Sequence, residues 1–472
     1  MAFSVDSYLW PIHGGHKPFT HQKITTLFLL KNKRAFVLNE MGTGKTLSAL
    51  WACDILLYSE KIRRVLVISP LSTMKAVWGK ELLMNLTHRK FSIAHGTKQI
   101  RLGALKQSTQ FVVINHDGIK ILEDEIIAEQ FDVIIIDELT AFKSNSERTK
   151  CMKRIADAQY MSKNRKRKRD GAVWGMTGEI TPNAPVEAFY QCQIVNPQAE
   201  FLPKFYGQFR DATMQQLNEM LWVAKPIAPQ IVGMVTKPAI RFTRDECLDL
   251  PDTTYQELEI ELTPEQTAYY VKMRQQAMIE MESGLISAAN AAVQLNKLLQ
   301  ISAGAVKAND GSIFEIGCKP RIDALMDIFE GTPNKKLVVF ATYRASIELL
   351  HRELTKRGVK VACIHGDVPQ NLRASHIERF QTGDLEILIL QPQSSAHGIT
   401  LTAASSIVWF SLIPSNELHQ QGNARIVRAG QTRKTFIYYF LSTKAEKHIY
   451  KILQRKGNVS AETLELFNSG DI

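Results

Sequence analysis

Short apolar runs rich in β-branched residues recur along the first half of the chain: AlaPheValLeu at 35–38, ValLeuValIleSer at 65–69, PheValValIle at 111–114, ValIleIleIle at 133–136 and AlaValTrpGlyMet at 172–176. Amphipathic stretches with helical spacing lie between them. That alternation predicts a buried parallel sheet covered by helices. A second series begins at LeuValValPhe 337–340 and continues through ValAlaCysIle 361–364, IleLeuIleLeu 387–390, IleValTrpPhe 407–410 and PheIleTyrTyrPhe 436–440. Between the two series, from about 185 to 320, strand character fades and the pattern turns helical. Thr263, followed by Pro264, Glu265 and Gln266, reads as a helix start. The expected fold is therefore α/β: two parallel-sheet lobes with helical insertions. The N-terminal lobe spans 1–250 with a protrusion near 185–245. The C-terminal lobe spans 251–472 with a protrusion near 263–318, and the linker lies near Leu250–Pro251.

Composition narrows the class of protein. Hydrophobic residues make up 45% of the 472 and charged residues 22%, the balance of a globular chain with enough length for two cores. The excess of 58 Lys+Arg over 47 Asp+Glu, a net charge of +11, favours a polyanionic partner. The six cysteines show no paired spacing for zinc or a disulfide framework and read as small buried hydrophobes in a reducing compartment. With no signal-peptide pattern and no apolar run of the ~20 residues that a membrane span needs, an intracellular, soluble protein is expected, with no membrane partner.

The chemistry concentrates at two places. AsnGluMetGlyThrGlyLysThr at 39–46 follows an apolar strand and precedes a helix, the context of a phosphate loop. Backbone amides around Gly42, Thr43 and Gly44 can surround a β-phosphate, Lys45 can reach the β/γ oxygens, and the Thr46 hydroxyl can ligate Mg²⁺. Asn39 stands where the general pattern has glycine; asparagine tolerates unusual backbone, so the loop is expected to form. Asp137 and Glu138 follow four β-branched residues at a strand's C-terminal end, where α/β sheets bind ligands. Asp137 suits Mg²⁺ through water and Glu138 suits orientation of an attacking water. Gln22, about 20 residues before the loop, can pair with the adenine edge and so select ATP; an exposed helix glutamine is the plainer alternative. Far downstream, Arg425 and Arg428 are three apart and would share one face if the segment is helical. Their planar, always charged forks suit a γ-phosphate, and the plainer alternative is a basic surface helix.

Taken in order, these segments resemble the Swi/Snf-type ATPases of helicase superfamily two, and the resemblance spans nearly the whole chain. ProPheThrHisGln at 18–22 is similar to the adenine-reading motif and the glycine loop to motif one. SerProLeuSer at 69–72 with Trp78 resembles motif Ia, AspGluLeuThrAlaPheLys at 137–143 motif two, and ThrGlyGluIleThrProAsn at 177–183 motif three. ValPheAlaThrTyr at 339–343 resembles motif four, IleHisGly at 364–366 the segment after it, 393–404 motif five, and Gln421 through Gln431 motif six. Thr140 replaces the usual histidine, Ile180 the usual proline of motif three, and Ser411 an aspartate common in relatives. The compact form is most similar to phage and prophage members, for which the host cytoplasm is the expected location.

The resemblance implies two RecA-like lobes, ATP with Mg²⁺, and Gln421 near the nucleotide. It also implies a grip on DNA, expected double-stranded, through Pro70, Ser72, Thr342, His365, Ser394 and Thr400. Such contacts go mainly to the backbone, which positions a protein without reading sequence and makes affinity fall with salt. The basic run Arg165, Lys166, Arg167, Lys168 and Arg169 is either a solvated loop or an element that tracks DNA; neutralising it tests which, through the salt slope. The expected activity is DNA-stimulated ATP hydrolysis that drives translocation on duplex DNA. The alternatives are a strand-separating DNA or RNA helicase and a nucleotide-switched DNA-binding module without productive turnover. Replication or recombination proteins remain open as partners.

Overall fold

Runs such as Val65–Ser69 and Val133–Asp137 carry no polar residue on either face until their last position, so they can sit only in the middle of a sheet covered on both sides. The computed structural model, which describes residues 8–11, 17–158, 171–217, 222–247, 251–282, 288–308, 312–395 and 399–455, places them there. The chain divides into two units: Met1–Gln215 with Val223–Asp249, and Gln216–Trp222 with Leu250–Ile472.

In the first unit, strands β1 (Arg34–Val37), β2 (Val65–Ser69), β3 (Phe91–Ala94), β4 (Phe111–Asn115), β5 (Val133–Asp137), β6 (Ala172–Met176) and β7 (Ala239–Ile240) form one sheet in the order β3-β4-β2-β5-β6-β1-β7. Every pairing in it is parallel. Alternate side chains feed two cores. Leu66, Ile68, Val112, Ile114, Ile134 and Ile136 point to one face, and Val65, Val67, Val113, Val133 and Ile135 to the other. Helices α1 (Thr20–Lys31) and α2 (Lys45–Tyr58) flank the start of this unit.

The second unit repeats the plan. Strands β8 (Thr253–Glu259), β11 (Leu337–Phe340), β12 (Val361–Ile364), β13 (Ile387–Leu390), β14 (Ser406–Trp409) and β15 (Thr435–Leu441) form an all-parallel sheet in the order β8-β15-β14-β11-β13-β12. Strands β9 (Ala305–Lys307) and β10 (Ile313–Glu315) make a separate antiparallel ribbon. Two parallel-sheet lobes with helices, as the hydrophobic pattern predicts, are what the chain forms.

The region read as helical does hold long helices, α3 (Pro264–Glu282) and α4 (Ala288–Ser302). Thr263 caps α3 reciprocally with Gln266: the Gln266 amide donates to Thr263 Oγ1 at 3.1 Å, and the Thr263 amide donates to Gln266 Oε1 at 3.0 Å. The same region also contains β7, β8, β9 and β10, which the pattern does not announce. ThrThrTyrGlnGluLeuGlu of β8 is mostly polar because it lies at a sheet edge, bonded on one side only to β15, with three consecutive exposed residues. β7 is two residues long, too short for any periodicity. Among the described residues, no helix is long and apolar enough to cross a membrane. The cysteines are free thiols, four buried and two half-buried.

Candidate functional site

The C-terminal ends of β1, β6 and β5 lie side by side in the first sheet, and each carries one of the predicted segments. After β1 comes the glycine loop, with Gly42 at φ +86° and Gly44 at φ +79°. Gly44 is also the residue before α2, whose first residue is Lys45. An added Cβ at Gly44 would sit 2.0 Å from Gln22 Nε2, so another residue there would strain the left-handed backbone and displace the Gln22 amide.

Gln22 is therefore not on an exposed helix face. It is 4% exposed, its Oε1 accepts the Phe19 amide at 3.0 Å, and its Nε2 lies over the loop. His21 beside it carries no sequence signal of its own, yet its Nε2 bonds the Thr43 carbonyl at 2.7 Å. Asn39, 1% exposed, donates from Nδ2 to Thr25 Oγ1 at 3.0 Å, so the departure from glycine becomes a link between loop and α1.

Lys45 donates from Nζ to the Asn39 carbonyl at 2.7 Å. Desolvation lowers its pKa from the usual lysine range, against the attraction of Glu138, then Asp137, then Glu40. Those carboxylates are thus near enough to be felt by the ammonium, which brings the loop and the β5 end into one site. Thr46 follows Lys45 in the first turn of α2 and is half-buried.

Asp137, 9% exposed, is held from two directions. Trp78 Nε1 donates to its Oδ2 at 2.8 Å, and His116 Nε2 bonds its carbonyl at 2.8 Å. Trp78 is fully buried on a π-helical turn, Met74–Gly79, a form of helix frequent at functional sites. A buried indole N–H needs an acceptor, and that need is the signal in the sequence for a partner of this kind. Glu138 adopts the left-handed conformation, φ +51°. After β6, the Thr177 amide donates to the Val37 carbonyl at 3.1 Å, seating motif three beside β1. Thr140 is buried, and Ile180 packs in the apolar core while its carbonyl accepts Gln191 Nε2 at 2.7 Å.

In the second unit, helix α5 (Asn416–Asn423) stops before the two arginines. Arg425 and Arg428 thus lie in turns and share no helix face. They converge in another way: Arg425 Nη1 and Arg428 Nη1 both donate to the Ile399 carbonyl, at 3.1 and 3.2 Å. Behind them is a buried network in which Trp409 Nε1 donates to Asn423 Oδ1 at 2.9 Å and His419 Nε2 meets the Tyr439 hydroxyl at 2.9 Å. Burial pushes the His419 pKa down to about 4. Gln421 is fully buried, with Nε2 donating to Glu417 Oε1 at 3.3 Å.

The residues read as nucleic-acid contacts divide. Ser72 is exposed at the start of a helical turn, whereas Pro70 is buried and its carbonyl accepts both the amide and the hydroxyl of Thr73 at 3.0 Å. Thr342 is 8% exposed, and its hydroxyl contacts the Ser411 and Leu412 carbonyls at 3.3 and 3.1 Å. Ser411, the residue in place of aspartate, accepts the Thr342 amide on Oγ at 2.8 Å. Gln391, absent from the predicted set, joins three segments: its Oε1 accepts the Gly366 amide and the Ser394 hydroxyl at 3.3 and 3.2 Å, and its Nε2 donates to the Thr342 carbonyl at 3.3 Å. His365 and Thr400 are half-buried. Residues 165–169 and 396–398 lie outside the described residues.

Comparison with known proteins adds the family. The model described as "Type III restriction enzyme, res subunit" matches residues 16–167, and "Helicase conserved C-terminal domain" matches 320–430, one in each unit. A putative protein, p41, of Acyrthosiphon pisum secondary endosymbiont phage 1 is 26% identical over 90% of this chain and 93% of its own length. A Caenorhabditis elegans homologue of the SWI/SNF-related matrix-associated actin-dependent regulator of chromatin subfamily A-like protein 1 is 22% identical over 93% of this chain. The chain belongs to the Swi/Snf-type ATPases of helicase superfamily two. Members of that family are ATP-dependent motor proteins of the helicase class. The chain's kinship with cellular Swi/Snf proteins is partial in extent, since it spans 61% of the nematode relative and 40% of a human one. The Sulfolobus solfataricus SWI2/SNF2 ATPase core in complex with dsDNA aligns over 99% of this chain and 96% of that one, at 18% identity and a TM-score of 0.44.

Proposed function

We propose that this Swi/Snf-type ATPase hydrolyses ATP in response to duplex DNA and uses the cycle to translocate along it. The observation that carries the reading is the grouping of Lys45, Asp137 and Glu138 at the C-terminal ends of β1 and β5, one strand apart in the sheet, beside a glycine loop braced by Gln22. In this reading Gln22 selects adenine, the amides of Gly42, Thr43 and Gly44 with Lys45 hold the phosphates, and Glu138 orients the attacking water. Lys45 leaves the Asn39 carbonyl for phosphate oxygens, a better partner for a desolvated ammonium.

The donor set suits Mg²⁺. Thr46 offers a hydroxyl and Asp137 a carboxylate kept oriented by Trp78, both hard oxygen donors. Among the described residues there is no cluster of three or more His, Cys, Asp or Glu for a metal. When bound, the ion would neutralise charge on the phosphates. Arg425 and Arg428 are assigned to the γ-phosphate, and Gln421 supports their turn. Ser72, Thr342, His365, Ser394 and Thr400 are assigned to the DNA backbone, with Pro70 setting the turn that presents Ser72. For Thr342 this requires the segment to give up an internal hydrogen bond.

The test is ATP hydrolysis measured alone and with duplex DNA, single-stranded DNA and RNA, with Lys45→Ala as the blank. Selective stimulation by duplex supports translocation on duplex. Stimulation by single strands or RNA shifts the reading to a strand-separating helicase, and binding without turnover indicates a nucleotide switch.

A further inference from the structure

A backbone carbonyl only accepts hydrogen bonds, so the 2.7 Å contact between His21 Nε2 and Thr43 O requires the proton to sit on Nε2. In a trans peptide, a carbonyl and the N–H that follows it lie in one plane and point in opposite directions. Holding Thr43 O toward His21 therefore turns the Gly44 N–H away from α1, the sense in which a phosphate-cradling loop presents its amides. The left-handed conformation of Gly44, φ +79°, follows that peptide directly. We infer that His21 is a positioning residue, which sets the Thr43–Gly44 peptide so that the Gly44 N–H meets a β-phosphate oxygen without rearrangement. The inference rests on the reading of this loop as the nucleotide site.

The ring cannot easily turn to serve another partner. His21 is 5% exposed, stacks on Phe19 with centroids 5.5 Å apart and planes within 14°, and meets Phe242 at 5.9 Å. Its backbone is also held, because Thr25 Oγ1 donates to the His21 carbonyl at 2.8 Å and accepts Asn39 Nδ2 at 3.0 Å. The Asn39 carbonyl in turn accepts Lys45 Nζ. The chain of bonds leaves the loop at Thr43, passes through α1 and returns to the loop at Asn39. Glycine at position 39 would lack the amide that closes it. An amide fixed in advance costs no reorganisation when the anion arrives, which is why such bracing strengthens phosphate binding selectively.

The experiment compares ADP with AMP, which lacks the β-phosphate, by competition against a fluorescent ATP analogue on the full chain. His21→Phe retains the stacking and removes the donor. Loss of one buried hydrogen bond is expected to weaken ADP by roughly tenfold and leave AMP within about twofold. Thr25→Val should shift the ADP/AMP ratio in the same direction, and Thr25→Ser should restore it. An unchanged ratio in folded His21→Phe, or equal losses for both nucleotides, overturns the inference. If His21→Phe does not fold, the Thr25→Val and Thr25→Ser pair decides by the same ratio. A wild-type chain that binds neither ATP nor ADP overturns the nucleotide-site reading itself, a result distinguishable from failure of the positioning role.

Discussion

The glycine loop of the first unit and the arginine turn of the second are both assigned to phosphate chemistry in the proposed function, but they are specified in different ways. The loop works through backbone amides, and its shape follows from residues that allow or forbid certain dihedral angles: Gly42 and Gly44 at positive φ, with Gln22 filling the space beside Gly44. The arginine turn works through side-chain charge. Its shape is set by what lies around it, since helix α5 ends at Asn423 and the two guanidinium groups meet at the carbonyl of Ile399, some 26 residues away in sequence for Arg425. A backbone site is thus readable from a short string of residues, while a side-chain site depends on distant parts of the fold.

The sharpest way to break this comparison is Arg425→Ala. If the guanidinium acts only on developing charge at the γ-phosphate, kcat should fall by about 10³-fold with little change in nucleotide affinity. Single-turnover hydrolysis set beside direct binding checks it, and a matching loss of affinity would place the arginine in ground-state binding. The next contrast pairs two glycines. Gly44→Ala meets both a left-handed φ and Gln22 Nε2 at 2.0 Å, and should abolish nucleotide binding while the unfolding of the second unit stays unchanged. Gly422→Ala instead brings a Cβ within 2.8 Å of the Trp409 ring and 3.1 Å of Phe340. Overpacking there should destabilise the second unit by about 1–3 kcal/mol and spare nucleotide binding. Calorimetric melts with and without ADP would separate the two outcomes.

The buried network behind the arginine turn predicts a pH effect confined to the second unit. Burial holds His419 at a pKa of about 4, below its ordinary value near 6.5. Between those values the unfolded chain takes up a proton that the folded chain does not. The stability is therefore complete above pH 6.5 and falls as the pH drops toward 4, by about 2 kcal/mol between pH 7 and pH 5. Urea unfolding at the two pH values, followed by the fluorine resonance of fluorotryptophan at position 409, tests this. The smallest effect concerns Trp78→Phe, which keeps an aromatic ring at the site and removes the donor to Asp137 Oδ2. Hydrolysis should slow by roughly tenfold, with the fold intact by circular dichroism.

The contrast between the two sites also separates what is legible in the sequence from what is not. The ten apolar runs place ten strands, because a parallel strand covered on both faces must be apolar throughout and little else in a globular chain looks the same. β8 escapes that reading since an edge strand buries only part of its surface, and its polar residues carry no distinguishing period. Lys45, Asp137 and Glu138 are legible as a set because each follows a strand end in a fixed local context. His21, Gln391 and Ser411 are not, since each acts by bonding a backbone group far off in sequence: the Thr43 carbonyl, the Thr342 carbonyl and Gly366 amide, and the Thr342 amide.

By itself, the order of residues determined two parallel-sheet lobes, the position of the phosphate loop and the pair of arginines, all of which rest on hydrophobic period, glycine and charge. Only the tertiary structure decided that Gln22 lies over Gly44, that Trp78 holds Asp137, and that Arg425 and Arg428 meet at one carbonyl instead of sharing a helix face. The physical reason is the range of the forces involved. Backbone preference and burial act on neighbouring residues and leave a local trace, whereas a hydrogen bond is satisfied by whatever partner the finished fold brings within about 3 Å.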